Sequence, residues 1–76
     1  MNYITYLINN ALEAYDITVT RSLIATCNLR KWVAGKLYRD YTFHYQGYSI
    51  HMQWVEVNGQ VERIAKFDIV DESQYA

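Results

Sequence analysis

The sequence predicts an α+β fold, with N-terminal helices (about 3–15, 20–27 and 29–38) packed on one face of a three-stranded antiparallel meander (about 40–45, 48–57 and 60–70). Three observations carry this reading. Asn58-Gly59 separates two long runs rich in Val, Ile and aromatic residues, and Asn-Gly favours a two-residue hairpin turn because both positions tolerate positive φ. Gln46-Gly47 offers a second, weaker turn of the same length. Residues 3–15 carry the apolar stripe of an amphipathic helix.

Along the first helix Ile4, Leu7, Ile8, Ala11, Leu12 and Tyr15 recur at helical spacing, Asn2 can cap the N-terminus, and Asn9, Asn10 and Glu13 lie off the stripe. Ile17-Thr18-Val19-Thr20 is β-branched and reads as a short extended piece. Leu23, Ile24 and Cys27 then fit one helical stripe, and Leu29, Trp32, Val33 and Leu37 another. A single helix carrying both sets would be apolar nearly all round. The spacing therefore predicts a break near Asn28, which can cap the second helix.

In the C-terminal half, the Asn58-Gly59 turn sets Trp54 opposite Arg63, Met52 opposite Ala65, Ile50 opposite Phe67 and Tyr48 opposite Ile69 on one face. The other face pairs Val55 with Glu62, Gln53 with Ile64, His51 with Lys66 and Ser49 with Asp68. One register thus separates a mostly apolar face from a mostly polar one, as alternation requires. A turn at Gln46-Gly47 adds Tyr45 with Tyr48, Phe43 with Ile50 and Tyr41 with Met52 to the apolar face. The aromatic stretch "YTFHYQGYSI" (41–50) then reads as core beneath the helices. A base-stacking platform would leave its rings exposed among basic residues. Leu7, Ile50, Met52 and Phe67 are expected in that core.

Composition fits one domain spanning 1–76, with 71–76 as a C-terminal tail: the chain has 76 residues, of which 51% are hydrophobic. No apolar run is long enough to span a bilayer, and the N-terminus lacks the features of a secretory signal. The single cysteine, Cys27, excludes an internal disulfide and suits a reducing compartment, so the cytoplasm is expected.

Several chemistries can be weighed from the same register. His44, Ser49 and Asp68 form a row on the polar face, but a hydrolytic triad needs its histidine between serine and acid, and here serine is central. His44 and His51 are too few ligands for zinc, and Lys66 beside His51 would repel a cation. No phosphate-binding loop, CxxC or HExxH pattern occurs. The expectation is a non-enzyme with no metal and no cofactor.

Charge is more informative. The net charge of −1 hides a +5 segment, residues 17–39, which contains Arg21, Arg30, Lys31, Lys36 and Arg39 and no acid. These five are the candidate partner-binding residues. They point to a small protein-binding module, an inhibitor or adaptor of the kind found among phage and mobile-element accessory proteins. It would dock through a basic helical face on a larger protein with an acidic or nucleic-acid-binding surface, as monomer or homodimer. The alternative is a small DNA- or RNA-binding regulator of helix–turn–helix or winged type using residues 29–39, since helix, short helix, basic helix and hairpin would follow in that order.

Overall fold

The computed structural model describes residues 3–72. It holds one helix and four strands: α1 (Tyr3–Glu13), β1 (Ile24–Val33), β2 (Lys36–Tyr45), β3 (Tyr48–Val57) and β4 (Gln60–Asp71). The strands form a single antiparallel sheet in the order β1-β2-β3-β4. The expected α+β architecture of N-terminal helices on a three-stranded meander is therefore overturned. The domain is mostly sheet, and the residues read as helices 20–27 and 29–38 instead supply the approach to β1, β1 itself and the start of β2. β2 begins at Lys36, four residues before the expected strand 40–45.

Three two-residue turns join the strands. In Ala34-Gly35, Gln46-Gly47 and Asn58-Gly59 both central residues have positive φ, as the twist of a tight hairpin demands. The unexpected one is Ala34-Gly35, where Ala34 sits at φ 51°, a region costly for a residue with a Cβ. Tertiary pairing outweighs that cost: nine residue pairs of β1 and β2 align around it, from Val33 with Lys36 to Ile24 with His44.

α1 lays Ile4, Ile8 and Leu12 on Tyr45, Ile50, Met52 and Trp54, and this cluster is the core. Leu7, Tyr41, Phe43, Tyr48, Val61, Ile64, Phe67 and Ile69 pack around it half-buried. The helix stops one residue beyond Leu12. Asp16 adopts φ 61°, its N–H donates to the Glu13 carbonyl (2.9 Å), and the Ile17 N–H donates to the Leu12 carbonyl (3.1 Å). This is the left-handed helix end usually given to glycine, and it turns apolar Ile17 back onto the core. The proposed Asn2 cap lies outside the described residues. So do residues 73–76 of the expected tail, whereas Asp71 closes β4 and the Glu72 N–H donates to the Gly47 carbonyl (2.9 Å).

β3 spans 48–57 as expected, and its pairing with β2 follows the expected register. Its pairing with β4 does not. Two bulges, at Glu62 and Ala65, each insert one residue, so Trp54 meets Ile64, Met52 meets Phe67 and Ile50 meets Ile69. Their combined shift of two residues restores the original parity. Phe67 and Ile69 stay on the helix side, while between the bulges Ile64 turns in and Arg63 turns out. No helix among the described residues is long and apolar enough to cross a membrane.

Candidate functional site

An 11-residue helix, about 16 Å long, cannot cover four strands of ten to twelve residues, each about 33 Å or longer. α1 and the linker after it sit over β2, β3 and β4. The linker is held by Tyr45, whose hydroxyl accepts the Thr20 N–H at 2.9 Å. β1 is left as a bare edge: all ten of its residues are exposed. Ile24 is 70% exposed and Trp32 61%, with Leu29 and Val33 also open to solvent. Large apolar side chains concentrated on one edge strand make β1 the candidate interaction surface, because a strand edge also presents unpaired N–H and C=O groups. The other edge, β4, is interrupted by its two bulges and carries Glu62, Arg63, Lys66, Asp68 and Asp71.

β1 pairs with β2 in a pattern that assigns its side chains to faces. Ala25, Cys27, Arg30 and Trp32 stand opposite Phe43, Tyr41, Arg39 and Leu37, on the helix side. Ile24, Thr26, Leu29, Lys31 and Val33 stand opposite His44, Thr42, Asp40, Tyr38 and Lys36, on the uncovered side. Asn28 is the extra residue of a bulge. Its amide donates to Asp40 Oδ1 (3.2 Å) and Thr42 Oγ1 (2.9 Å), so the irregularity expected there is a kink in a strand and not a helix cap.

The five candidate residues are dispersed by this arrangement. Arg30 and Lys31 are exposed on β1 but point to opposite faces. Lys36 pairs with Glu62 (3.1 Å), and Arg21 lies exposed in the linker. Arg39, expected on a solvated helix, is half-buried on β2. Its Nη1 donates to Glu56 Oε2 (2.8 Å), its Nη2 donates to the Tyr41 hydroxyl (2.8 Å), and its Cζ lies 5.0 Å from the Tyr41 ring centre and 5.7 Å from that of Trp54. Trp54 Nε1 donates to the same Glu56 oxygen (2.8 Å). Burial works against the charges of both Arg39 and Glu56. These hydrogen bonds outweigh it, raising the Arg39 pKa and holding the Glu56 carboxyl below its usual range. Arg39 therefore ties the sheet together beside a cleft of about 590 Å³ lined by Tyr3, Ile4, Trp54, Glu56 and Val61.

A second polar knot lies on the uncovered face. Asp40 accepts from Asn28 and, through Oδ2, from Gln53 Nε2 (2.9 Å), while His51 Nε2 lies 2.6 Å from Oδ1. Burial pushes the Asp40 pKa up, but the bonds from Asn28, Gln53 and His51 prevail and hold it low. The expected row of His44, Ser49 and Asp68 is broken by the β4 bulges: Ser49 faces Val70, and Asp68 faces His51. Ser49 still sits between its neighbours, 3.4 Å from His44 Nδ1 and hydrogen-bonded to Glu72. A serine in the middle has no histidine to relay its proton to an acid. Among the described residues no three of His, Cys, Asp and Glu cluster as a metal site.

Comparison with protein-family models, with curated proteins and with solved structures returns no match, so function has to be read from the residues themselves.

Proposed function

We propose that this protein is a small, non-enzymatic protein-binding module of inhibitor or adaptor type, acting in the cytoplasm and docking through the β1 edge. The observation that carries the reading is a ten-residue edge strand with every residue exposed, on which Ile24, Leu29, Trp32 and Val33 accompany Arg30 and Lys31. The fitting occupant is an extended, acidic segment of a larger protein. Its backbone would pair with β1, its apolar side chains would meet Trp32 and Leu29, and its carboxylates would meet Arg30 and Lys31. The free, exposed thiol of Cys27 on this strand suits a reducing compartment.

The alternative of a nucleic-acid regulator loses its instrument, because residues 29–39 form a hairpin and offer no recognition helix. The basic side chains also diverge: Arg30 and Lys31 occupy opposite faces, while Lys36, Arg39 and Lys66 are paired with Glu62, Glu56 and Asp68. Phosphate tracking needs a continuous basic stripe.

The test compares partner capture from native extract by the wild type, the Arg30→Glu/Lys31→Glu variant, Trp32→Ala, and Lys66→Glu on β4 as a control. Edge docking predicts at least tenfold weaker capture for the first two variants and unchanged capture for the control. Equal capture by all four would refute it, and salt-sensitive binding of random duplex DNA would revive the alternative.

A further inference from the structure

We propose that, when no partner is bound, β1 pairs antiparallel with β1 of a second copy about a two-fold axis between Asn28 and Leu29. This rests on reading β1 as a docking edge and names what occupies it in the free protein.

The first support is the bulge. Asn28 shifts the strand by one residue, so Ala25, Cys27, Arg30 and Trp32 share the helix side while Ile24, Thr26, Leu29, Lys31 and Val33 share the other. Residues opposite each other across an antiparallel pair must lie on one face. With the two-fold between Asn28 and Leu29, Ile24 meets Val33, Ala25 meets Trp32, Thr26 meets Lys31 and Cys27 meets Arg30 of the second copy. These four pairs match in face, Asn28 meets Leu29 at the axis with its amide on the same uncovered side, and all ten residues are used. Sliding by one residue mismatches faces at once. Sliding by two places Leu29 opposite Arg30 in one direction and Cys27 opposite Asn28, whose amide reaches the uncovered-side Asp40 and Thr42, in the other; in both pairs the two residues lie on different faces.

Backbone direction agrees. A two-residue turn closes on a hydrogen-bonded pair, so Val33 aims its N–H and C=O at Lys36, and Trp32 aims its own outward. Counting along β2, the outward residues of β1 are Trp32, Arg30, Cys27 and Ala25. These four meet one another in the proposed pairing and complete the ladder.

Side chains agree as well. The indole of Trp32 falls beside the small Ala25, two exposed aliphatic residues, Ile24 and Val33, come together, and each cation faces a neutral partner. No like charges are directly opposed. β4 gives a poorer self-contact, because two bulges disrupt its edge and charged side chains of both signs stud it. Both helices of the dimer lie on one face of an eight-stranded sheet, apart from each other, since α1 does not cover β1. A partner strand then docks by displacing the second copy.

Sedimentation of the full chain between about 5 and 200 µM is the test, with Thr26→Lys and Thr26→Glu beside the wild type. Thr26 is exposed and faces Lys31 of the second copy, so the lysine variant should weaken association at least tenfold and the glutamate variant should strengthen it. The expected species at high concentration has twice the 9.0 kDa chain mass. Wild type that stays monomeric at 200 µM overturns the proposal, as does a dimer that both variants leave unchanged. Neither result touches partner docking, which fails separately if Arg30→Glu/Lys31→Glu retains full capture.

Discussion

Replacing Glu56 should destabilise the protein more than its position at the end of a strand implies. One oxygen of Glu56 accepts from Arg39 Nη1 and from Trp54 Nε1, both at 2.8 Å, and its side chain is only 15% exposed. A hydrogen bond to a charged group contributes roughly 1.5–3 kcal/mol, and deleting one partner leaves the others short of an acceptor. Glu56→Gln keeps one acceptor oxygen and loses the charge, for a cost of about 2 kcal/mol. Glu56→Ala strands the half-buried guanidinium and the buried indole N–H together, for about 3 kcal/mol. At roughly 0.05–0.15 kcal/mol per residue the whole domain has about 4–11 kcal/mol to lose. Urea unfolding monitored by tryptophan fluorescence measures these losses. The pH dependence supplies the sign. The Glu56 pKa is lowered by folding, so its stabilisation is present above the ordinary carboxylate range and lost as pH falls through the folded value. Wild type should weaken below about pH 4, and Glu56→Gln should show a shallower acid limb, the remainder belonging to Asp40. A Glu56→Gln loss under about 0.5 kcal/mol with an unaltered acid limb would refute this view of the cluster.

Other outcomes follow from packing and backbone. Ile50→Ala, at a fully buried site beneath α1, should cost about 2–5 kcal/mol in the same assay. Ile64→Ala should cost about 1–2 kcal/mol, given its partial burial, and Arg63→Ala less than about 0.5; the reverse order would mean that the β4 bulges are misplaced. Ala34→Asn, which places a residue tolerant of φ 51° in the first turn, should raise stability by about 0.5–1 kcal/mol, visible as a higher thermal midpoint.

The parts legible in the sequence are those whose apolar residues are buried. The stripe of Ile4, Ile8 and Leu12 and the alternation of Ile50, Met52 and Trp54 record a real inside and outside. β1 escaped because periodicity reports burial, and β1 is not buried. Its Ile24, Leu29, Trp32 and Val33 are exposed, so their helical spacing was coincidence. Ala34-Gly35 also lacks the residues that announce a turn. Two signals were nevertheless present. The chain's only glycines, Gly35, Gly47 and Gly59, stand twelve residues apart, the repeat of a ten-residue strand plus a two-residue turn. In β4 the spacing of Val61, Ile64, Phe67 and Ile69 is too long for plain alternation and implies an extra residue twice. Arg30 and Lys31 were legible as exposed cations. Arg39 was not, because its partner Glu56 comes alongside only once β2 is extended back to Lys36.

Amide hydrogen exchange along β1 tests the docking edge most directly. Edge docking predicts alternation in the dilute free protein: Thr26, Lys31 and Val33, bonded to β2, exchange slowly, while Ala25, Cys27, Arg30 and Trp32 exchange freely. On addition of the captured partner, or at high protein concentration, the second set should slow by tenfold or more. Uniform protection of residues 29–33 in the free protein would indicate a helix. Free exchange at Arg30 and Trp32 in the partner-bound protein would place the docking surface elsewhere.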